Sequence, residues 1–511
     1  ENSDIETLMI LGNLPVPYSG DVMAAHENHR GAWPADLFYA ELDGEWTDDT
    51  VNNTSAAWPE NHNVPGDGKY DQTFLPSDVD LQMGRVDLSE MPAFNLNEFE
   101  LLQRYLDRNH AFRRAEFTAE PRGLVDDYVG ESYGLAFAAF GWRHFTALCG
   151  QDSVHALDYL TTLEQESYLL SYGCGGGSNS SCMGIGTTFD FAAREVKTVF
   201  TSLYGSYFGD WDKPNNLLRA PLASGGWPLV CFWSGRPTWH IHHMGLGRTI
   251  GFSTRLTQNA DHEYTVGDSQ RQIHIALMGD PTLRLHPVSP AANLVLTSTG
   301  TGVQLSWDPS PEADEGYYVY RATGMDDRFQ RIHREPLTEP AFFDPSPHTG
   351  TNVYMVRAMT LEVTGSGSYF NLSGGITATM DFPSVPTPTP VCRETGVVLD
   401  MPSHYFSPGE PCSLDAHICN MHSETAQTIP FFCLLEAGGS YWFYPGWSED
   451  PEWIVLDVLA PGETVVQVIA PFIWPENAGD GGGMAFLSAV TDPAFSDVIG
   501  NIGTWEFSYG E

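Results

Sequence analysis

Positive charge is scarce in this chain. Lys69, Lys197 and Lys213 are its only lysines, and 24 basic residues stand against 66 acidic ones, a formal net charge of −42 over 511 residues. Such a surface repels phosphate backbones, which argues against nucleic acid as a partner. It favours solubility and attracts divalent cations, and its plain reading is a solvated acidic surface suited to salty or calcium-rich surroundings. Long apolar runs are missing too: none approaches the roughly 18 residues of a membrane span, so no transmembrane segment is expected. A signal-peptide pattern is also lacking. Glu1-Asn2-Ser3-Asp4 leads almost directly into a strand-like run, as expected of a processed or trimmed product. Cysteine is limited to eight residues with no CxxC pair, which weakens any structural zinc reading. Cys392, Cys412, Cys419 and Cys433 fall near the C-terminus. That clustering suits disulfides in an oxidising, extracellular or cell-surface setting, with the connectivity left open.

What is present is enough apolar and aromatic sequence (42% and 12%) for several packed cores, and enough glycine and proline (50 and 35) for many turns. Three regions separate. Over residues 1–287, short apolar runs alternate with helical stretches, the pattern of a parallel α/β sheet. The buried-strand candidates are Leu8–Leu11, Gly123–Val125, Tyr168–Leu170, Val199–Leu203 and Leu229–Phe232, with helical spacing over Phe94–His110 and Phe189–Val196. Functional loops in such sheets sit at the carboxyl ends of strands, which directs attention to Gly173–Cys182 and Tyr204–Asp212. Over residues 288–382 the pattern becomes alternating strands with turn signals. Residues 383–391 (PSVPTPTPV) form a proline-rich spacer, expected to be extended and semi-rigid. Residues 392–511 repeat the strand–turn style and are read as a second β-sandwich held by one or two disulfides.

Two resemblances follow. Val303–Trp307, Tyr317–Tyr320 and Tyr354 resemble the core tryptophan, tyrosine-rich strand and tyrosine corner of a fibronectin type III module. Within the first region five stretches, in order, resemble gingipain-type (caspase-like) cysteine peptidases. They are Leu8–Pro17 (LMILGNLPVP), Asp36–Gly44 (DLFYAELDG), Ser77–Val86 (SDVDLQMGRV), Gly123–Asp127 (GLVDD) and Met278–Leu285 (MGDPTLRL). The resemblance covers roughly residues 5–287 and lacks the family's usual leading portion. It implies a multidomain protein: an α/β caspase-like domain followed by two all-β sandwiches.

The family resemblance places a histidine base in a Gly-His-Gly turn and a cysteine nucleophile on the next strand end. Here the first turn reads Gly173-Cys174-Gly175-Gly176-Gly177, which puts Gly175 or Gly176 at the histidine position. The second reads Tyr204-Gly205-Ser206-Tyr207, which puts Ser206, or Gly205, at the cysteine position. Neither register restores a dyad, and a serine hydroxyl without a base is a weak nucleophile. Cys174 is either a displaced nucleophile or, the favoured reading, a disulfide partner of Cys182 across the Gly/Ser-rich loop. His144 and His155 are expected on a helix. His240, His242 and His243 with His274 resemble a metal-ligand cluster, but their spacing points them to different helix faces. Asp43, Glu45 and Asp48 offer oxygens around a turn glycine, as a calcium loop does, and gingipain-type domains are stabilised by calcium; a solvated acidic turn fits equally. Asn52, Asn53, Asn179 and Asn371 lie in glycosylation sequons. The aromatic run Tyr441–Trp447 reads as a sandwich strand and hairpin, or else as a subunit contact or sugar platform.

The function expected is that of a secreted or cell-surface structural or binding protein built on an inactive peptidase scaffold. Its partners would be protein, surface glycan or copies of itself. The alternative is an active, calcium-stabilised cysteine endopeptidase with a site rearranged around Cys174. Serine chemistry at Ser206 is a weaker third reading.

Overall fold

The computed structural model describes residues 5–23, 29–132, 135–260, 271–299, 302–382, 392, 394–422, 426–475 and 481–510. The proline-rich spacer, 383–391, lies outside the described residues. The first region's apolar runs become the strands β1 (Thr7–Leu11), β2 (Gln82–Val86), β3 (Gly123–Asp127), β4 (Val154–Ala156), β5 (Tyr168–Cys174), β6 (Thr198–Tyr204), β7 (Val230–Trp233) and β8 (Ala276–Gly279). They form one sheet in the order β1-β2-β8-β7-β6-β5-β3-β4. Strands β5 to β8 are buried at every position, as both faces of the sheet are covered.

The sheet is mixed rather than parallel throughout. Strands β7 and β8 pair antiparallel, while the other neighbours are parallel. An all-apolar run identifies a central strand but carries no sign of its direction, so composition could not reveal the reversal. The carboxyl ends of β3, β5 and β6 therefore share one edge.

The expected helix after Phe94 is α1 (Glu98–Arg113), started by an Asn97/Glu100 capping box. Its buried residues Leu101, Tyr105, Arg108 and Phe112 recur at helical spacing. The stretch Phe189–Val196 yields a shorter helix, Thr188–Ala193. His144 lies on a helix, Ala139–Cys149, but His155 lies on β4.

The ordered motifs of the sequence have structural tasks. Arg85 of β2 binds Asp36 through Nε and Nη2, both at 2.7 Å, and reaches the Leu14 carbonyl at 3.2 Å. This joins three of the five stretches in a buried ion pair. Burial pushes the Asp36 carboxyl up, and Arg85 opposes that rise. Asp280, just after β8, accepts from Asn109, Arg113 and the hydroxyl and N–H of Thr282. Tyr105 meets the Asp280 N–H and donates to the Leu229 carbonyl, tying α1 to the end of the region.

Two β-sandwiches follow, each with its own buried cluster. The middle one packs Ala292–Ser298, Val303–Asp308 and Ala341–Asp344 against Gln330–Arg331, Gly316–Ala322, Gly350–Thr364, Gly367–Leu372 and Ile376–Phe382. Trp307 and Tyr317 are in its core, and the Tyr354 hydroxyl donates to Asp344, which also binds Arg321. It meets the α/β region through Thr364 and Ser366, whose hydroxyls donate to the Gly245 and Ala147 carbonyls at 2.7 Å each. The C-terminal sandwich packs a three-stranded sheet against a six-stranded one. A single disulfide among the described residues, Cys392–Cys419, lies at its start; Cys412 and Cys433 are buried free thiols.

Candidate functional site

The carboxyl ends of β3, β5 and β6 place Asp127, Cys174 and Tyr204 in one register row. Beyond that row a small meander, Gly177–Ser178, Ser181–Cys182 and Gly186–Thr187, folds over the strand ends. The backbone joins them closely: the Tyr128 N–H donates to the Cys174 carbonyl, and the Gly175 N–H to the Tyr204 carbonyl.

Cys174 is fully buried and donates to Asp127 Oδ1 at 3.1 Å. Burial, and then the adjacent carboxylate, push its thiol up to about 12. Burial works against Asp127 as well. The N–H groups of Gly130 and Val129 and the Cys174 thiol nonetheless hold it below the ordinary carboxylate range. The expected Cys174–Cys182 disulfide is absent, and both thiols are free. Their neighbours explain this: Cys174 turns toward β3, whereas Cys182 approaches the Tyr204 carbonyl of β6 at 3.7 Å. Burial raises the Cys182 thiol further still.

The two positions where the resemblance calls for histidine differ in the room they offer. A Cβ on Gly175 would stand 2.0 Å from the Met183 carbonyl oxygen, so no side chain fits there without moving backbone. A Cβ on Gly176 would meet only the Met183 methyl, at 3.1 Å. Ser206 is half-buried, with its N–H against the meander at Gly177. A pocket of about 460 Å³ beside the meander is lined by Gly176, Met183, Ile185, Asp158, Thr161 and Arg194 among others. Its arginine is already paired with Glu164 at 2.9 Å.

The histidines divide differently from their sequence grouping. His240, His242 and His243 gather with His144: ring centroids are 6.1 Å apart for His144 and His242, and 4.2 Å for His242 and His243. Residues 242–246 form a 3-10 turn rather than an α-helix. Burial and mutual repulsion lower His144 to about 3 and His240 to about 4. His274 is elsewhere, packed on Trp33 and Trp233 and accepting from the Gly235 N–H.

The acidic loop is likewise committed to local bonds. Glu41 accepts from the N–H groups of Asp43 and Gly44 and the Trp46 indole, and Asp48 from the N–H groups of Gly66 and Gly68. Asp43 and Glu45 point outward as exposed residues. Among the described residues no three His, Cys, Asp or Glu side chains are placed to share a metal ion. Of the sequon asparagines, Asn53 and Asn371 are buried and Asn52 is exposed. In the Tyr441–Trp447 run, Tyr444 and Trp447 pack against the sandwich core while Tyr441 is exposed.

Residues from the segment 29–63, which includes the strand Arg30–Pro34, surround Tyr207 and reach Asp210, just beyond Ser206. Tyr207, at φ +65°, lies edge-on to His29 with centroids 4.3 Å apart, edge-on to Trp58 at 5.8 Å, and stacked on Trp33 at 6.5 Å. Three residues on, Asp210 is buried and accepts from Asn61 at 2.9 Å. Burial raises its carboxyl to about 7.

No protein-family model matches the chain, and no curated protein does. Among solved structures, the chain is similar to the chicken interferon gamma receptor alpha chain, at 9% identity and a TM-score of 0.15. That match covers 43% of this chain and 99% of the receptor chain. A two-domain fibronectin type III segment of chicken tenascin matches at 11% identity and a TM-score of 0.16, covering 42% of this chain and 98% of the segment. At these scores the likenesses carry no weight for the fold or the function.

Proposed function

We propose that this chain is a secreted or cell-surface binding or structural protein. In this reading its α/β region keeps a gingipain-like scaffold without the hydrolytic centre. The carrying observation is the state of Cys174. Its thiol is fully buried beside a carboxylate and pushed up to about 12, whereas a nucleophilic thiol needs a nearby cation or base that stabilises the thiolate. The blocked Cβ position at Gly175 supports the same reading, because an imidazole cannot be seated there. The motif residues Asp36 and Arg85 form a buried pair and Asp280 pairs with the partly exposed Arg113, which gives all three a scaffold role that needs no catalysis.

The competing reading, a cysteine endopeptidase built around Cys174, requires a thiolate at neutral pH. The test is a thiol-reactive probe on the folded full-length chain, read by peptide mass spectrometry. Cys174 should stay unlabelled until the chain is unfolded. Rapid labelling of Cys174 in the native chain would sink the proposal.

A further inference from the structure

A well-packed sandwich core leaves few voids larger than a water molecule. The C-terminal sandwich departs from this at one end, where its two sheets hold an open-mouthed cavity of about 410 Å³. That volume falls in the ordinary range of small-molecule sites, roughly 300–1,000 Å³. Strand pairing explains why the walls are apolar. On the six-stranded sheet Leu435 stands opposite Trp442 on one side and Phe486 on the other, so the three share the inner face. On the three-stranded sheet Cys412 stands opposite Phe472. Met401, Cys412 and Phe486 are buried, whereas Trp442 and Tyr509 are half-buried and Phe472 is 38% exposed.

The walls are propped by their own rings. Trp474 stacks on the fully buried Phe406, with centroids 5.6 Å and planes 16° apart, and meets Phe472 at 5.3 Å and Tyr509 at 4.7 Å. Phe486 lies parallel to Phe507 at 5.0 Å, with planes 3° apart. The lining chemistry then limits what fits. Of its twelve residues six are aromatic, two are methionines and none is charged. Ring faces and edges favour another ring, and thioether sulfur makes favourable contacts with aromatics. A charged group would enter unpaired, at a large desolvation cost. An anion is disfavoured twice over, because from Glu394 to Glu511 the sequence holds 17 Asp and Glu residues and no Lys or Arg.

We propose that this cavity is a binding site for a neutral aromatic small molecule. An aliphatic chain could fill the same volume, but it gains none of the ring–ring geometry that the walls offer. A sugar would bring many hydroxyls to walls with few groups to pair them. The Tyr441–Trp447 run thereby acquires a specific part, since its Trp442 is one wall of the cavity. The site belongs to a different domain from the strand ends at Cys174. It goes beyond the binding-protein reading and stands whether or not the α/β region cleaves peptides.

Fluorescence titration of the full chain with phenylnaphthylamine, a neutral aromatic probe that brightens in apolar surroundings, tests the site. The expected result is saturable binding of one probe per chain. Decanol, an aliphatic competitor, and anilinonaphthalene sulfonate, an anionic relative of the probe, should each bind at least about ten-fold more weakly. Ala437→Trp puts a bulky ring into the cavity and should abolish binding. Phe472→Ala removes one partly exposed ring and should weaken binding about two- to ten-fold. Both variants should keep the wild-type circular dichroism spectrum, since neither residue is fully buried. Absence of saturable binding overturns the inference. So does binding unchanged in both variants, or decanol or the sulfonate binding as tightly as the neutral aromatic probe.

Discussion

The Cys174 thiol of β5 donates to Asp127 of β3 across 3.1 Å, one strand end to its neighbour. This contact runs against what thiol catalysis requires. A carboxylate beside a buried thiol opposes its ionisation, whereas a catalytic thiolate is held by a cation or an imidazolium. The same strand ends bring a glycine, not a base, to the turn after Cys174. In the proposed reading, the site keeps the strand-end placement of an α/β active centre and has lost the hydrolytic constellation.

The two glycines of that turn should respond differently to substitution. Gly175→Ala forces a Cβ toward the Met183 carbonyl oxygen and is expected to cost about 1–3 kcal/mol or more. Gly176→Ala meets only a flexible methionine methyl and should stay within about 0.5 kcal/mol of wild type. Urea denaturation of the two variants gives the comparison.

The buried pair Arg85–Asp36 should be costly to halve. Arg85→Ala leaves the Asp36 carboxyl buried without its two guanidinium bonds, at an expected cost of about 3–5 kcal/mol. The double change Arg85→Met/Asp36→Leu removes both charges and is expected to recover much of that loss. Chemical denaturation of both variants reads the difference.

Asp210 gives stability a specific pH dependence. Its carboxyl stands at about 7 in the folded chain against an ordinary 3.8, chiefly through burial. The folded state thus favours the protonated form. This group's contribution is fully present below about 4, is lost as pH rises toward 7, and is flat above that. The loss is at most about 4 kcal/mol, from ~3 pKa units at ~1.4 kcal/mol each. Asp210→Asn should remove this slope while keeping the Asn61 contact, as seen in melting temperatures measured from pH 4 to 8.

Reducing the Cys392–Cys419 disulfide should weaken the C-terminal sandwich. The bridge closes a separation of 27 residues, and a loop of that size is worth about 3–4 kcal/mol through the unfolded chain. Reductant should lower the melting of this sandwich and leave the α/β region unchanged, as hydrogen exchange resolves by region.

The sequence made the strands legible where an apolar run was short and bounded, as at Tyr168–Cys174 and Thr198–Tyr204. Strand direction was not legible, because the Ala276–Gly279 run is as apolar as Val230–Trp233, the neighbour it pairs with antiparallel. The turn at Cys174–Gly177 could be located from its glycines, but the thiol's partner could not. Asp127 is 47 residues away, and only the register of β3 on β5 brings it alongside. The Tyr207 surroundings were invisible for the same reason. Trp33 lies on the short strand Arg30–Pro34, His29 and Trp58 border short elements, and Asn61, in a 3-10 turn, reaches Asp210 across 149 residues.

The most direct test of the central claim is cleavage of a diverse peptide library by the full-length chain, with and without calcium, alongside Cys174→Ala and Ser206→Ala. The expected result is no cleavage above a heat-denatured control in any sample. Cleavage by the wild type that disappears in Cys174→Ala or Ser206→Ala would contradict the account.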